Sequence, residues 1–167
     1  GMLRAARRRG LYVAQGAAEA LPFPARTFDA VTCFKAFPHV RHPRRVLAEI
    51  QRVLRPGGVA ALELYNPRSL RGLLRRHGPR RATSSQFDES GVVTRFDTAA
   101  SFEATLPAGL ALEAVHGIRM VTPLGRLLDV PLFGAGLARA ERWLTTNGVG
   151  VRWAGFLVVL LRNTEGS

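Results

Sequence analysis

The chain has little that would cross-link it or hold it in a membrane. Its 167 residues contain one cysteine, Cys33, so no internal disulfide can form. His42, His77 and His116 have no metal-ligand spacing with one another or with Cys33, and we expect no metal site. The apolar run at residues 153–161 is far shorter than a membrane-spanning helix, which needs roughly 20 residues. We therefore expect a cytoplasmic protein without a membrane partner.

Acidic residues are scarce, and lysine is almost absent. The chain carries 24 basic and 12 acidic residues, for a net charge of +12, and its one lysine is Lys35. Most of the surplus lies in residues 1–81, where it could attract phosphate groups. However, this arginine bias is typical of GC-rich coding, and few aromatic residues stand between the arginines to stack on bases. The pattern favours solvated helix faces, and we expect no nucleic-acid partner.

The apolar residues predict an alternating α/β fold. With 47% hydrophobic residues, the length fits a single domain over residues 1–167. Residues 27–34 form a compact β-rich run, and residues 43–54 place an apolar stripe at helical spacing after Pro43. The Pro56-Gly57-Gly58 turn ends that helix, and residues 59–64 follow as a strand. A strand-helix-strand unit of this length suits two parallel strands.

The apolar pattern is less regular in the other segments of the chain, but it still predicts several helices and strands. Helices are expected at residues 2–10, 69–76, 98–106 and 131–145, and strands at residues 11–15, 110–120 and 155–163. Residues 77–91 are polar and read as a loop.

Four segments, in this order and spacing, resemble the class I S-adenosylmethionine-dependent methyltransferases. They are AEALPF at 18–23, FDAV at 28–31, RVLRPGG at 52–58 and VAALEL at 59–64, and they are most similar to the small-molecule, quinone-biosynthesis branch. The resemblance implies a partial Rossmann-like sheet, mostly parallel with an antiparallel last strand and helices on both faces. It also implies transfer of a methyl group from S-adenosylmethionine to a small-molecule acceptor.

The resemblance further implies where the cofactor would lie. In the family, a loop after the third strand presents an acidic residue and a backbone amide to the adenine. That loop is here Gly16, Ala17, Ala18 and Glu19, and the acidic position falls on Ala17, which has no side-chain acceptor. Glu19 either compensates from two residues away or is a solvated charge.

The methionine portion of the cofactor and the transfer site would lie at the end of the FDAV strand. The positions there are Phe34, Lys35 and Ala36, with His39 on the following segment. Methyl transfer depends mainly on alignment of the nucleophile, so a general base is optional. His39 is a weak candidate for such a base, and the alternative is a histidine packed at the entry to the helix.

The family's first strand and its glycine-rich loop have no counterpart in the 167 residues, which contain no GxGxG. We therefore expect the first two strands of the sheet to be missing and cofactor binding by this chain to be weak or absent. Either this is a fragment of a longer enzyme or a noncatalytic remnant that acts as an interaction protein. The FDAV strand would then be an open edge. We expect either residues 11–15 to fill the vacant place or a second copy to cover the edge in a homo-oligomer.

Overall fold

The protein is described by a computed structural model that covers residues 2–69, 93–118 and 148–165. The predicted helices at 69–76 and 131–145 and the predicted loop at 77–91 lie essentially outside these residues. The described strands are β1 (Phe28–Cys33), β2 (Leu54–Tyr65), β3 (Leu110–Ile118) and β4 (Phe156–Asn163). The described helices are α1 (Met2–Arg8), α2 (Pro43–Val53), α3 (Ala99–Glu103) and α4 (Gly148–Trp153), with a 3-10 turn at Phe37–His39.

The four strands form one mixed sheet in the order β1-β2-β4-β3. β1 runs parallel to β2, whereas β4 runs antiparallel to both of its neighbours, β2 and β3. Three strands therefore share one direction and the last strand opposes them. The expected partial Rossmann-like sheet with an antiparallel last strand is confirmed.

The core lies between α2 and one face of β2. The apolar stripe of α2 is buried, because Val46, Leu47 and Ile50 are each at most 2% exposed. These side chains cluster with Leu62 and Leu64, which alternate along β2 and so point to the same face. Burying the stripe is the main force that holds α2 on the sheet, since each fully buried aliphatic side chain contributes about 1.5–3 kcal/mol.

The predicted strand at residues 11–15 is wrong. The segment is irregular, Leu11 and Tyr12 are 57% and 105% exposed, and the nearest bridge joins Ala17 to Ala20. β-Rich composition alone does not make a strand without a partner edge. Among the described residues β1 is accordingly an open edge of the sheet, and the idea that residues 11–15 fill the place beside it is also wrong.

β2 is longer than predicted, because it includes the glycine turn. Phe28 pairs with Leu54, but Ala30 already pairs with Val59, so residues 55–58 bulge out of the ladder. Gly57 has φ +73°, in the left-handed region that favours glycine. The turn that was expected to end α2 therefore lies inside β2, and α2 ends at Val53.

Long-range side-chain contacts fix two ends of the sheet. The Asn163 amide, 2% exposed, donates to the carbonyls of Leu54 and Arg55 at 3.2 Å each. The Asn66 amide donates to the carbonyl of Ala154 at 2.9 Å. Each asparagine satisfies backbone acceptors that helix ends and bulges leave without partners.

No helix among the described residues is long and apolar enough to cross a membrane.

Candidate active site

The carboxyl end of β1 leads into a tight turn that presents Phe34 and Lys35. Phe34 is 49% exposed, and Lys35 has φ +56°, a conformation that a non-glycine residue adopts at a cost. Such strained backbone persists where the surrounding structure requires it, often at functional sites. The backbone N–H of Phe37 points at the Cys33 thiol, whose pKa burial raises above its usual value. Cys33 is therefore a packed thiol beneath the turn.

His39 is held between a backbone carbonyl and a tyrosine. Its Nδ1 lies 3.1 Å from the carbonyl oxygen of Val93, so Nδ1 carries the proton and donates. That tautomer leaves Nε2 as an acceptor, and the Tyr65 hydroxyl lies 3.4 Å from it. The two rings also meet edge to face, with centroids 5.6 Å apart. A polar chain therefore runs from Tyr65 through His39 to Val93.

Tyr65 is a candidate site residue that the sequence analysis missed. It ends β2, and its ring packs edge-on against Phe96 and Phe156 at 5.8 and 5.3 Å between centroids. Its carbonyl accepts the N–H of Asp97 at 2.9 Å, which ties the segment before α3 to the end of β2. Its position as the last residue of an apolar parallel strand was the available signal, since such ends line ligand crevices in open α/β sheets.

The loop that was expected to face the adenine is compact. Ala17 bridges to Ala20, and Ala18 packs against the hydrophobic core. A side chain at Gly16 would lie 2.5 Å from the ring of Pro22, so the turn tolerates only glycine there. Glu19 is half-buried beside them. Ala17 offers no side-chain acceptor, and any adenine contact at this position falls to the backbone.

Glu49 and Arg52 on α2 clamp the next part of this loop. The Leu21 N–H donates to the Glu49 carboxylate at 2.7 Å, and the Arg52 guanidinium donates to the carbonyls of Phe23 and Leu21 at 2.8 and 3.1 Å. Arg52 also donates to Glu49 at 2.7 Å, and this hydrogen bond lowers the pKa of the Glu49 carboxyl and raises that of Arg52. One ion pair thereby holds the loop against α2.

The predicted site residues fall into two groups. Phe34, Lys35 and His39 lie on one turn after β1, and His39 joins them to Tyr65. Ala17, Ala18 and Glu19 lie on the separate loop, and among the described residues no hydrogen bond joins that loop to Phe34 or Lys35. The described residues also contain no group of three or more histidine, cysteine or acidic side chains that could hold a metal.

Comparison with known proteins identifies the lineage of the first part of the chain. Residues 1–62 match the methyltransferase domain family. Demethylmenaquinone methyltransferase of Renibacterium salmoninarum is 43% identical over 60 residues, which is 35% of this chain and 25% of that protein. A phthiotriol/phenolphthiotriol dimycocerosates methyltransferase of Mycobacterium tuberculosis is 51% identical over 49 residues, 29% of this chain and 18% of that protein. The matched part of this chain thus spans a quarter or less of these curated relatives.

Solved structures extend the likeness to nearly the whole chain. An S-adenosylmethionine-dependent methyltransferase of Thermotoga maritima, described as a possible histamine N-methyltransferase, superposes with a TM-score of 0.65 at 19% identity. The superposition covers 97% of this chain and 69% of that one. A second such enzyme, from Mesorhizobium loti, gives a TM-score of 0.60 at 21% identity and covers 97% and 76%. At these identities the likeness establishes the fold.

Proposed function

We propose that this chain, whose residues 1–62 match the methyltransferase domain family, forms one domain that takes part in methyl transfer from S-adenosylmethionine to a small molecule. The observation that carries the proposal is the Tyr65–His39 pair at the carboxyl ends of β1 and β2. In open α/β sheets, ligands bind at this edge.

The residues at this edge suit the acceptor side of the reaction. The cofactor, when bound, supplies an electrophilic methyl group, and the protein must align the acceptor with it. His39 Nε2 accepts a proton in the tautomer that Val93 fixes, so the Tyr65 hydroxyl or an acceptor hydroxyl or amine can donate to it. We assign His39 the role of a weak general base and Tyr65 that of its partner.

The residues that would hold the cofactor fit only part of it. The Phe34–Lys35 turn and the Ala17–Glu19 loop offer backbone groups and an apolar surface. Ala17 has no acceptor for an adenine amino group, and the 167 residues contain no GxGxG whose amides could approach the cofactor. We therefore propose that this chain binds S-adenosylmethionine weakly, with a Kd of about 1 mM or higher.

A titration of the isotope-labelled chain with S-adenosylhomocysteine, followed by amide chemical shifts, tests both the site and the affinity. We expect shifts confined to residues 16–19 and 34–36, with half-saturation at about millimolar ligand. Shifts elsewhere would contradict the assignment of the site. A complete absence of shifts at 10 mM ligand, about ten times that Kd, would favour the noncatalytic alternative.

The second candidate is a noncatalytic remnant that assembles through the open edge of β1. Among the described strands, β1 is paired on one side only, and Asp29, Ala30 and Thr32 are exposed along it. Unpaired strand edges are seldom left open, so a second copy pairing edge to edge would supply the missing hydrogen bonds. This candidate predicts a homodimer.

Sedimentation over a wide range of concentrations tests the homodimer. We expect a dimer for the parent chain and a monomer for Thr32→Pro, because proline removes a donor from the edge. Ala30→Lys is a second variant whose charge should weaken the same pairing without altering backbone donors, and circular dichroism checks that both variants fold. A parent chain that stays monomeric at 100 μM, about the concentration where weak pairing would register, would contradict the dimer.

A further inference from the structure

Glu63 is a buried carboxyl group near the middle of the sheet. It lies on β2, is 8% exposed, and its Oε1 has no hydrogen-bond partner among the described residues. Nothing in the described structure assigns it an ion pair, so it differs from the exposed or half-buried carboxylates of Glu49, Asp29 and Glu113, each of which pairs with an arginine. Its burial therefore has no evident role in stabilising the fold.

The ladder places Glu63 on the face of the sheet opposite α2. Leu62 and Leu64 point towards the α2 side, and strand alternation sends Glu63 and Tyr65 to the other face. Across the antiparallel ladder, Glu63 is paired with Val158 and Tyr65 with Phe156. Directly opposite residues lie about 4.5–5.5 Å apart at their Cβ atoms. The carboxyl group thus stands beside an aromatic pair at the candidate active-site end of β2.

A buried carboxyl group without a partner is costly. The loss of hydrogen bonds to water is not repaid, and an ionised carboxylate adds a charge penalty. Native proteins rarely retain such groups, and each one that persists needs an explanation, such as a catalytic role or a bound ion or water. An aliphatic side chain at this position would pack against Val158 without the penalty. Retention of a carboxyl group here is best explained by a ligand that supplies the missing donors.

We propose that Glu63 anchors a small organic cation, a protonated amine, on this face of the sheet beside Tyr65 and Phe156. A neutral hydroxyl would satisfy one oxygen but leave the negative charge buried, whereas an ammonium group supplies both donors and charge. The faces of aromatic rings also attract cations. The terminal torsion of glutamate is broad, so the side chain can turn its enclosed oxygen towards a ligand that arrives at the exposed edge of the residue.

The identification of this amine as the methyl acceptor rests on the proposed function, in which the ammonium first gives a proton to His39 Nε2 so that its nitrogen lone pair can attack the methyl group. The binding of the amine does not rest on that function. The binding test therefore omits S-adenosylmethionine altogether. If the cofactor titration fails and the amine still binds, only the proposed function is wrong; if the amine fails and the cofactor binds, only this inference is wrong.

The probes are benzylamine and its neutral analogue benzyl alcohol, titrated by calorimetry into the full chain. We expect the parent chain to prefer benzylamine, and Glu63→Gln to weaken benzylamine binding at least about tenfold without changing that of benzyl alcohol. Glu103→Gln is the matched control, because Glu103 is exposed at the end of α3. The benzylamine affinity of this variant should equal that of the parent chain. Equal benzylamine affinity in the parent and Glu63→Gln, or no benzylamine binding by the parent, would overturn the inference.

The thermal unfolding temperature is a second readout, because a structural role for Glu63 would change it in the opposite direction to a ligand-binding role. Without ligand, Glu63→Gln should unfold at a higher temperature than the parent, because the variant removes a largely buried carboxylate charge for which the described residues supply no ion pair. A lower unfolding temperature would mean that Glu63 already stabilises the fold, and it would overturn the proposal. Both readouts use the complete chain, and the stability measurement keeps its meaning even where ligand affinity is low.

Discussion

The Glu49–Arg52 clamp should make the loop before β1 sensitive to acid. Hydrogen bonding from Arg52 is the main cause that lowers the pKa of the Glu49 carboxyl, with a further contribution from the Leu21 N–H. A carboxyl group whose pKa is lowered by folding contributes stability above its unfolded pKa and loses it as pH falls through the lowered folded value. The clamp should therefore be fully effective at neutral pH and fail below the ordinary carboxyl range.

Glu49→Gln tests this effect because it keeps the size of the side chain and removes its charge. Hydrogen bonds to charged groups typically contribute about 1.5–3 kcal/mol when they are buried. The Glu49 side chain is 19% exposed and that of Arg52 is 36% exposed, so solvent screens the interaction. We expect Glu49→Gln to lower the free energy of unfolding by about 1 kcal/mol at pH 7, and by progressively less as the pH approaches 3.

Urea denaturation of the parent and Glu49→Gln across this pH range measures the difference. Hydrogen exchange of the Leu21 amide, which donates to Glu49 at 2.7 Å, reports the same contact locally and should accelerate about fivefold in the variant at pH 7. Glu103→Gln, at an exposed position, should change neither quantity. A difference between the parent and Glu49→Gln that does not shrink on acidification, or an unchanged Leu21 exchange rate, would refute this account of the clamp.

Three further predictions follow from buried groups. Asn163→Ala should lower the free energy of unfolding, measured by urea denaturation, by about 2–3 kcal/mol, because two backbone carbonyls lose their hydrogen-bond donor. Thr164→Ala, at an exposed position, is the control and should change that free energy little. Phe102→Ala should cost about 3–5 kcal/mol, since Phe102 is 0% exposed and packs edge-on against Phe37; a cost below about 1 kcal/mol would contradict this packing. Cys33 should react with a maleimide more slowly than free cysteine does at pH 7.5, about one pH unit below the usual thiol pKa, because burial raises the pKa of its thiol. Unfolding the chain in urea should restore the rate of free cysteine. Rapid labelling of the folded chain would contradict burial as the cause.

Local patterns predicted the elements whose signals are local. The stripe of α2 and the β-rich run of β1 were found because a helix face and a buried strand follow from spacing and composition. Residues 11–15 have similar composition, yet they form no strand, because pairing depends on a partner that is distant in sequence. The same reason explains why β2 extends through the glycine turn.

The candidate site could be predicted only as a set of positions on two loops. His39 was named only as a weak candidate base through the family resemblance, and its contacts with Tyr65 and Val93 join it to residues 26 and 54 positions away in the sequence. Glu63 was counted as one charge among many, since a strand pattern does not reveal whether a carboxyl group finds a partner. The protonation and hydrogen bonding of such side chains depend on partners that are distant in sequence, and residue spacing along the chain does not reveal those partners.

The chain has the methyltransferase fold, and the central proposal is that it holds only part of the cofactor site. Calorimetric titration with S-adenosylmethionine tests it most directly, with the 167-residue chain compared with the same chain fused behind the glycine-rich first strand and loop of a curated relative. We predict a Kd of about 1 mM or weaker for the chain alone and of about 1–10 μM for the fusion, a gain of roughly 3–4 kcal/mol. Micromolar binding by the chain alone would contradict the account.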